Sequence, residues 1–413
     1  MPAVSRARAA HLSCCLLIAV SACLVVLAAP AAAAGLASPR SVVGYGDWEP
    51  FIGTELTTPA IPDYNANYFS VAFTRSGEAR YIGLRFKGEF GYARYMSYNI
   101  YRSYRSPSYG ALTDQGLQPD AGSVNPFVPE IDPKATDRSY TVYVQPAGYA
   151  KDGQQNTLEF DPAQIRTLVV LLRYYVAEGS ATAGVPLPTV EAYDVRTGTS
   201  LPLPEMQLLG GRPTALYAWI MHPIFSSIVD KQLRFYHSAG PGLFPNADNA
   251  YLLTALTRRT GEVAVVRLKP PTFPKDNAQY GQTQVRYWSL NEQNRDTSTP
   301  IGLRDDQFKV ADDGFVYVAI GDKSLRRQAE RRGYTFMPWL IKGRTGVVIY
   351  RNLVTDPSFA GSIAKVPMLD LSDPQNVYAQ NATNFIGDWA PKGVVVSLKR
   401  FLKDGGGLAP PRR

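Results

Sequence analysis

Cysteine and histidine are scarce in this chain, and their placement removes most of them from any chemistry. Of 413 residues only three are cysteine and three histidine. Cys14, Cys15 and Cys23 all fall within the first 34 residues. From residue 35 onward the sequence therefore offers no disulfide, no cysteine zinc site and no thiol nucleophile. His11 lies in the same leader, leaving His222 and His237. Two histidines are too few for a three-histidine metal site. Each reads as a partly buried polar residue, although one could act as a general base. No G-x-S-x-G elbow, H-E-x-x-H helix, Walker loop or dinucleotide G-x-G-x-x-G after a strand occurs. Serine hydrolase, zincin, ATPase and Rossmann readings are unsupported, and neither metal nor cofactor is expected. With 19% charged and 45% apolar residues the chain is too apolar to be intrinsically disordered.

What is present begins with a leader. Arg6 and Arg8 precede an apolar run from Leu12 to Ala29, followed by Pro30 and Ala31 to Ala34. This is the layout of a secretory signal peptide cleaved near Ala34, so a secreted or cell-envelope protein is expected. An uncleaved anchor competes, because the run approaches spanning length, but the small-residue cleavage site argues against it. Val20-Ser21-Ala22-Cys23 has the look of a lipoprotein box, yet Leu24 to Leu27 continue the apolar run past the cysteine. Lipid attachment at Cys23 is the lesser reading. No later segment is long and apolar enough to span a membrane.

Comparing the chain with itself is the most informative step. Pro62-Asp63-Tyr64-Asn65-Ala66-Asn67-Tyr68 matches Pro245-Asn246-Ala247-Asp248-Asn249-Ala250-Tyr251. Arg94-Tyr95-Met96-Ser97-Tyr98-Asn99 matches Arg286-Tyr287-Trp288-Ser289-Leu290-Asn291, and Leu168 to Arg173 matches Gly346 to Arg351. Seven such blocks keep their order. Their offset drifts from 183 (Pro62 to Pro245) to 192 (Arg94 to Arg286) and back to 178 (Leu168 to Gly346). The blocks are short, rich in Val, Ile, Tyr and Phe, and separated by Gly, Pro, Asp and Asn turns. They predict a mainly β protein of two duplicated antiparallel β-sandwich, jelly-roll-like units with few helices.

The predicted organisation is a signal at 1–34, a lead segment at 35–61, a first sandwich at 62–200, a connector with a helix at 201–244, a second sandwich at 245–400, and a disordered tail at 401–413. The runs at 168–172 and 346–350 read as central strands buried on both faces. Thr214 is positioned to cap the connector helix, which Pro223 would break. A second helix runs from about Asp322 to Gly333, and Lys323, Arg326, Arg327, Arg331 and Arg332 make it basic. On an exported protein such a helix would meet acidic envelope polymers or lipid headgroups rather than nucleic acid. A solvated helix face is the plain alternative.

The candidate ligand-binding residues sit in the repeated strand. Alternation puts Met96, Tyr98 and Ile100 on one face and Tyr95, Ser97 and Asn99 on the other. In the second copy Tyr287, Ser289 and Asn291 repeat the polar row, and Arg94 and Arg286 begin each strand. A row of aromatic ring, hydroxyl and amide could receive a sugar ring, which makes a cell-envelope glycan or other anionic polymer the candidate partner. The plain alternative is a packing requirement kept in both copies. Asp114 and Asp305 lie in turns after this strand. Asp305, Asp306, Asp312 and Asp313 together lack the spacing of a calcium loop, so they read as solvated turns. Arg173 and Arg351 are expected in ion pairs within the sheets. No catalytic residue can be selected from the sequence.

At the Arg94 and Arg286 blocks the sequence resembles a family of exported bacterial two-domain proteins, grouped only as domains of unknown function. The resemblance rests on Arg286-Tyr287-Trp288-Ser289, on Asp305-Asp306, and on Asp313-Gly314 before Phe315-Val316-Tyr317-Val318. It implies a β-sandwich fold and a cell-envelope setting, and carries over no activity or catalytic residue. The first copy departs from it, inserting Ser123-Val124-Asn125-Pro126-Phe127 between Gly122 and Thr141. Binding without turnover is the leading reading. A polysaccharide hydrolase or lyase using carboxylate, Tyr and Arg groups in the inter-unit cleft, or a purely structural envelope protein, are the alternatives.

Overall fold

Strand-forming sequence and short turns dominate the computed structural model, which describes residues 48–52, 61–74, 81–102, 106–165, 167–204, 231–238, 244–295, 297–370, 372 and 374–411. The leader, the predicted connector helix and His222 lie outside these residues. The first half contains β1 (Glu49–Ile52), β2 (Ala66–Thr74), β3 (Ile82–Glu89), β4 (Tyr95–Tyr101) and β5 (Gly110–Thr113). It continues with β6 (Ser139–Pro146), β7 (Thr157–Phe160), β8 (Thr167–Tyr175), β9 (Thr189–Asp194) and β10 (Ser200–Leu201). They form two sheets, ordered β1-β2-β8-β4-β5 and β10-β9-β3-β6-β7. Phe69, Phe73, Phe86, Tyr98, Tyr140, Leu168 and Leu172 fill the space between the two sheets.

The second half contains β11 (Gln232–Arg234), β12 (Tyr236–His237), β13 (Asn249–Thr257), β14 (Glu262–Leu268) and β15 (Val285–Gln293). It continues with β16 (Ile301–Arg304), β17 (Val316–Gly321), β18 (Thr335–Pro338), β19 (Thr345–Thr355) and β20 (Lys392–Ser397). Their sheets are ordered β12-β13-β19-β15-β16 and β11-β20-β14-β17-β18. The matched sequence blocks fall on strands in corresponding places: β2 and β13, β4 and β15, β8 and β19. Trp288, Leu290, Val318, Ile320, Val348 and Tyr350 build the second core. All these strands belong to one compact unit.

Two features differ from an all-antiparallel expectation. β6 pairs with β7, and β17 with β18, in parallel at the sheet edges. In each case the chain makes a crossover instead of a hairpin, which parallel pairing requires. The residues between β17 and β18 carry the predicted basic helix: a turn at Lys323–Leu325 leads into α1 (Arg326–Arg331). Gly333, at φ 85°, ends it as expected. Asp322 does not cap it, because its carboxylate accepts from Arg258 at 2.8 Å.

The disordered-tail expectation is corrected. After α2 (Thr383–Ile386), helix α3 (Leu398–Asp404) covers 398–404, and Ser397 Oγ caps it by accepting from the Arg400 amide. Phe401 is fully buried with Tyr334, Val394 and Val396. Gly405, Gly406 and Gly407 all take positive φ and turn the chain back, so that the Tyr334 hydroxyl donates to the Leu408 carbonyl at 3.1 Å. A glycine run that reads as flexible is here a left-handed turn held by an aromatic anchor. Among the described residues no helix is long and apolar enough to cross a membrane.

α1 and α3 cover the outer sheet of the second sandwich, which is why β17 is buried along its whole length. Among the described residues no helix covers the outer sheet of the first sandwich in this way, and β6 alternates between buried and half-buried positions for most of its length.

Candidate functional site

The inner sheets of the two sandwiches pack face to face, and the polar rows lie between them. Tyr95, Ser97, Asn99, Tyr287, Ser289 and Asn291 are all fully buried, and Arg286 is nearly so. A sugar cannot reach these rows, so the expected ligand contact by Tyr-x-Ser-x-Asn is overturned. Each half instead uses its row to grip the other. The Tyr95 hydroxyl donates to Asp248 at 2.7 Å and to Asn246 at 3.1 Å. The Tyr287 hydroxyl donates to Asp63 at 2.8 Å, and Ser289 donates to the same carboxylate at 2.6 Å. Asn291 Oδ1 accepts from the Tyr64 amide at 3.0 Å. In the first sandwich Asn99 Oδ1 accepts from Arg173 and from Ser97. Burial pushes the Tyr95 and Tyr287 hydroxyls well above the usual phenol range, and Asp248 and Asp63 push in the same direction.

The two arginines at the strand starts pair crosswise. Arg94 Nη1 reaches both oxygens of Asp305, at 2.5 and 2.6 Å, and Arg286 Nη1 reaches Asp114 at 2.7 Å. Each aspartate also accepts a backbone amide of its own sandwich: Met96 N for Asp114 and Trp288 N for Asp305. Burial raises both carboxyls above the ordinary carboxylate range, while the facing guanidinium and these amides pull them back. Arg173 and Arg351 are also crosswise. They donate to the Phe244 and Ile61 carbonyls, each at 2.7 Å, and Arg351 lies 3.7 Å from Asp63. Ile61 and Phe244 take positive φ, as do Val176 and Val354, so the unusual backbone recurs with the contacts. The arrangement is isologous in the sense used for dimers, but within one chain.

Two segments break this reciprocity, and they meet. Between β14 and β15 the second half carries extra residues, and between β5 and β6 the first half does. Asn277 from the former donates to the carbonyls of Pro126 at 3.0 Å and Ile131 at 2.7 Å in the latter. Tyr280 packs into the core of the first sandwich and donates its hydroxyl to the Arg94 carbonyl at 2.9 Å. Beside this contact lies an open cleft of about 360 Å³. Its walls carry Arg94, Lys134, Arg138, Lys275 and Arg304, the acids Glu178, Asp276 and Asp306, and the ring of Tyr92. The Arg138 guanidinium stacks 3.7 Å from the Tyr92 centroid, and its Nε has no partner among the described residues.

The fold is shared with a solved structure. The chain is similar to an uncharacterised protein from Burkholderia cenocepacia, with a TM-score of 0.54 and 14% identity over 86% of this chain and 83% of that one. A Vibrio parahaemolyticus protein superposes with a TM-score of 0.43 at 10% identity, over 84% of this chain and 92% of that one. No family model matches the sequence, and no curated protein matches it. A fold in common with the Burkholderia protein is what the comparisons establish.

Of the sequence candidates, the structure brings Arg94, Tyr95, Arg286, Tyr287, Ser289 and Asn291 together with Asp63, Asp114, Asp248 and Asp305, all in the buried junction. Only Arg94 also lines the cleft. His237 is half-buried, with Nδ1 3.2 Å from the Ser238 carbonyl. Among the described residues no group of His, Asp or Glu is arranged to hold a metal ion. The cleft residues Lys134, Arg138, Lys275 and Asn277 were missed, although the drifting offset marks the two insertions that carry them.

Proposed function

We propose that this is an exported, non-catalytic binding protein of the cell envelope, and that its ligand is an acidic glycan seated in the cleft beside the junction. The observation that carries the reading is the composition of that cleft: five cationic side chains against three acids, with an aromatic face at Tyr92. Carboxylated sugars match this chemistry, since Arg and Lys take the carboxylate and an aromatic ring takes the apolar sugar face. Binding rather than turnover is favoured because the strongly desolvated acids are engaged elsewhere. Asp114 and Asp305 are locked to arginines, and Glu292 is sealed in the second sandwich.

The test is a glycan array with the mature protein, read in parallel with reducing-sugar release. Uronic-acid oligosaccharides should bind without release. The pair Lys134→Glu and Lys275→Glu, both exposed, should cut affinity by about tenfold or more with the melting temperature unchanged. Release of reducing ends would replace this reading with a hydrolase or lyase. Retention of neutral and acidic glycans alike by the variant would remove the cleft as the site.

A further inference from the structure

A second cavity, of about 390 Å³, lies away from the junction, where α1 ends and the C-terminal segment folds back. Its walls bring Lys309, Arg331, Arg332 and Lys403 together, against Asp312 and Asp404. Asp404 is occupied by the Gly406 amide at 2.8 Å and lies 4.0 Å from Arg400. Arg332 is tied to the Leu402 carbonyl, which fixes the two helices relative to each other. Lys309, Arg331 and Lys403 are exposed and form no ion pair among the described residues, unlike Arg326, which pairs with Glu330. The cavity therefore gathers four cationic side chains against two acids. Its floor is rigid, because Gly333 sits against Pro410 and Tyr334 is anchored to Leu408.

Ala311, Ala409, Pro410 and Pro411 add apolar lining beside these cations. Cations next to apolar side chains suit a charged group attached to hydrocarbon. We infer that this pocket binds a phosphate group, presented by an anionic lipid headgroup. Arginine takes phosphate through two parallel N–H bonds, and the lysines add point charge on either side.

The experiment uses the mature full-length chain and vesicles of phosphatidylcholine with or without phosphatidylglycerol, with calorimetric titration of inorganic phosphate as a separate arm. Vesicles containing phosphatidylglycerol should retain the protein and pure phosphatidylcholine should not. Arg331→Glu with Lys403→Glu should reduce partitioning by about fivefold or more per charge removed. Arg327→Glu, exposed on the same helix but outside the pocket, should change it clearly less per charge than the pocket variant does, and all variants should melt with the parent protein. Binding of free phosphate that is lost in the pocket variant, without vesicle binding, upholds the phosphate site and assigns it to a soluble source. Equal losses for Arg327→Glu and the pocket variant, or no binding in either arm, overturn the inference. The Lys134→Glu and Lys275→Glu pair should leave vesicle binding intact, so the two sites fail independently.

Discussion

Charge buried between two sheets makes single residues decisive. Arg286 and Asp114 are almost wholly removed from water, with side chains 2% and 0% exposed. Breaking such a pair leaves the other charge stranded, at a cost of about 3–5 kcal/mol. Asp114→Leu should therefore lower the denaturant midpoint sharply. Arg286→Met combined with Asp114→Leu should recover much of the loss, which a double-mutant cycle would measure. Glu292 gives a prediction in pH. Its Oε2 accepts from the Leu340 amide at 2.9 Å, Oε1 has no partner among the described residues, and burial pushes its carboxyl up to about 8. The native state then holds a proton that the unfolded chain, with an ordinary carboxyl near 4.5, has released. Stability should fall as pH rises from about 4.5 to about 8. Glu292→Gln should flatten that part of the profile in thermal melts taken across the interval, and an unchanged slope would exclude Glu292 as its source.

Among the strands, close approach governs what the junction tolerates. Gly302 of β16 pairs with Asn291, and a Cβ there would collide with Asn291 Oδ1 and lie 2.6 Å from Tyr64 Cβ. Gly302→Val should cost roughly 1–3 kcal/mol by overpacking, measured as a drop in denaturant midpoint. The corresponding position in β5 is Ala111, opposite Asn99, so the two sides of the junction are not interchangeable there. The strands themselves were readable. Leu168 to Leu172 and Gly346 to Tyr350 are central because only a strand packed on both faces carries so unbroken an apolar run. The polar rows were located correctly but given the wrong environment. Alternation tells which side chains share a face and not what covers that face; the cover here is the facing sheet of the other half, supplied by residues some 150 to 230 positions away. The tail was misread because a glycine run permits both a flexible chain and a left-handed turn, and the distinction rests on Phe401 finding a pocket formed by distant strands.

Across the whole molecule the two sandwiches are joined by contacts that neither can satisfy alone. Tyr95, Tyr287, Arg94 and Arg286 all find partners on the opposite side, and Tyr175 meets Tyr287 edge to face at 5.4 Å. Separation would expose aromatic surface and strand these polar groups together, so heating should produce one calorimetric transition for the folded chain. The combined change Arg94→Ala and Arg286→Ala should split it into two, because each sandwich keeps its own core. Two transitions in the unaltered protein would show that the junction does not couple them.

The reciprocity of the junction also bears on how copies of the chain meet. Each half presents the face its counterpart needs, and the same bonds form whether that counterpart is tethered or belongs to a neighbour. Only the tether, through the local concentration it imposes, favours closure within one chain. Two molecules that open together at high concentration, or whose connecting segment is cut short, can trade halves and close as an intertwined dimer with every contact preserved. The feature that gives the closed chain its cohesion thus sets the geometry of its exchange.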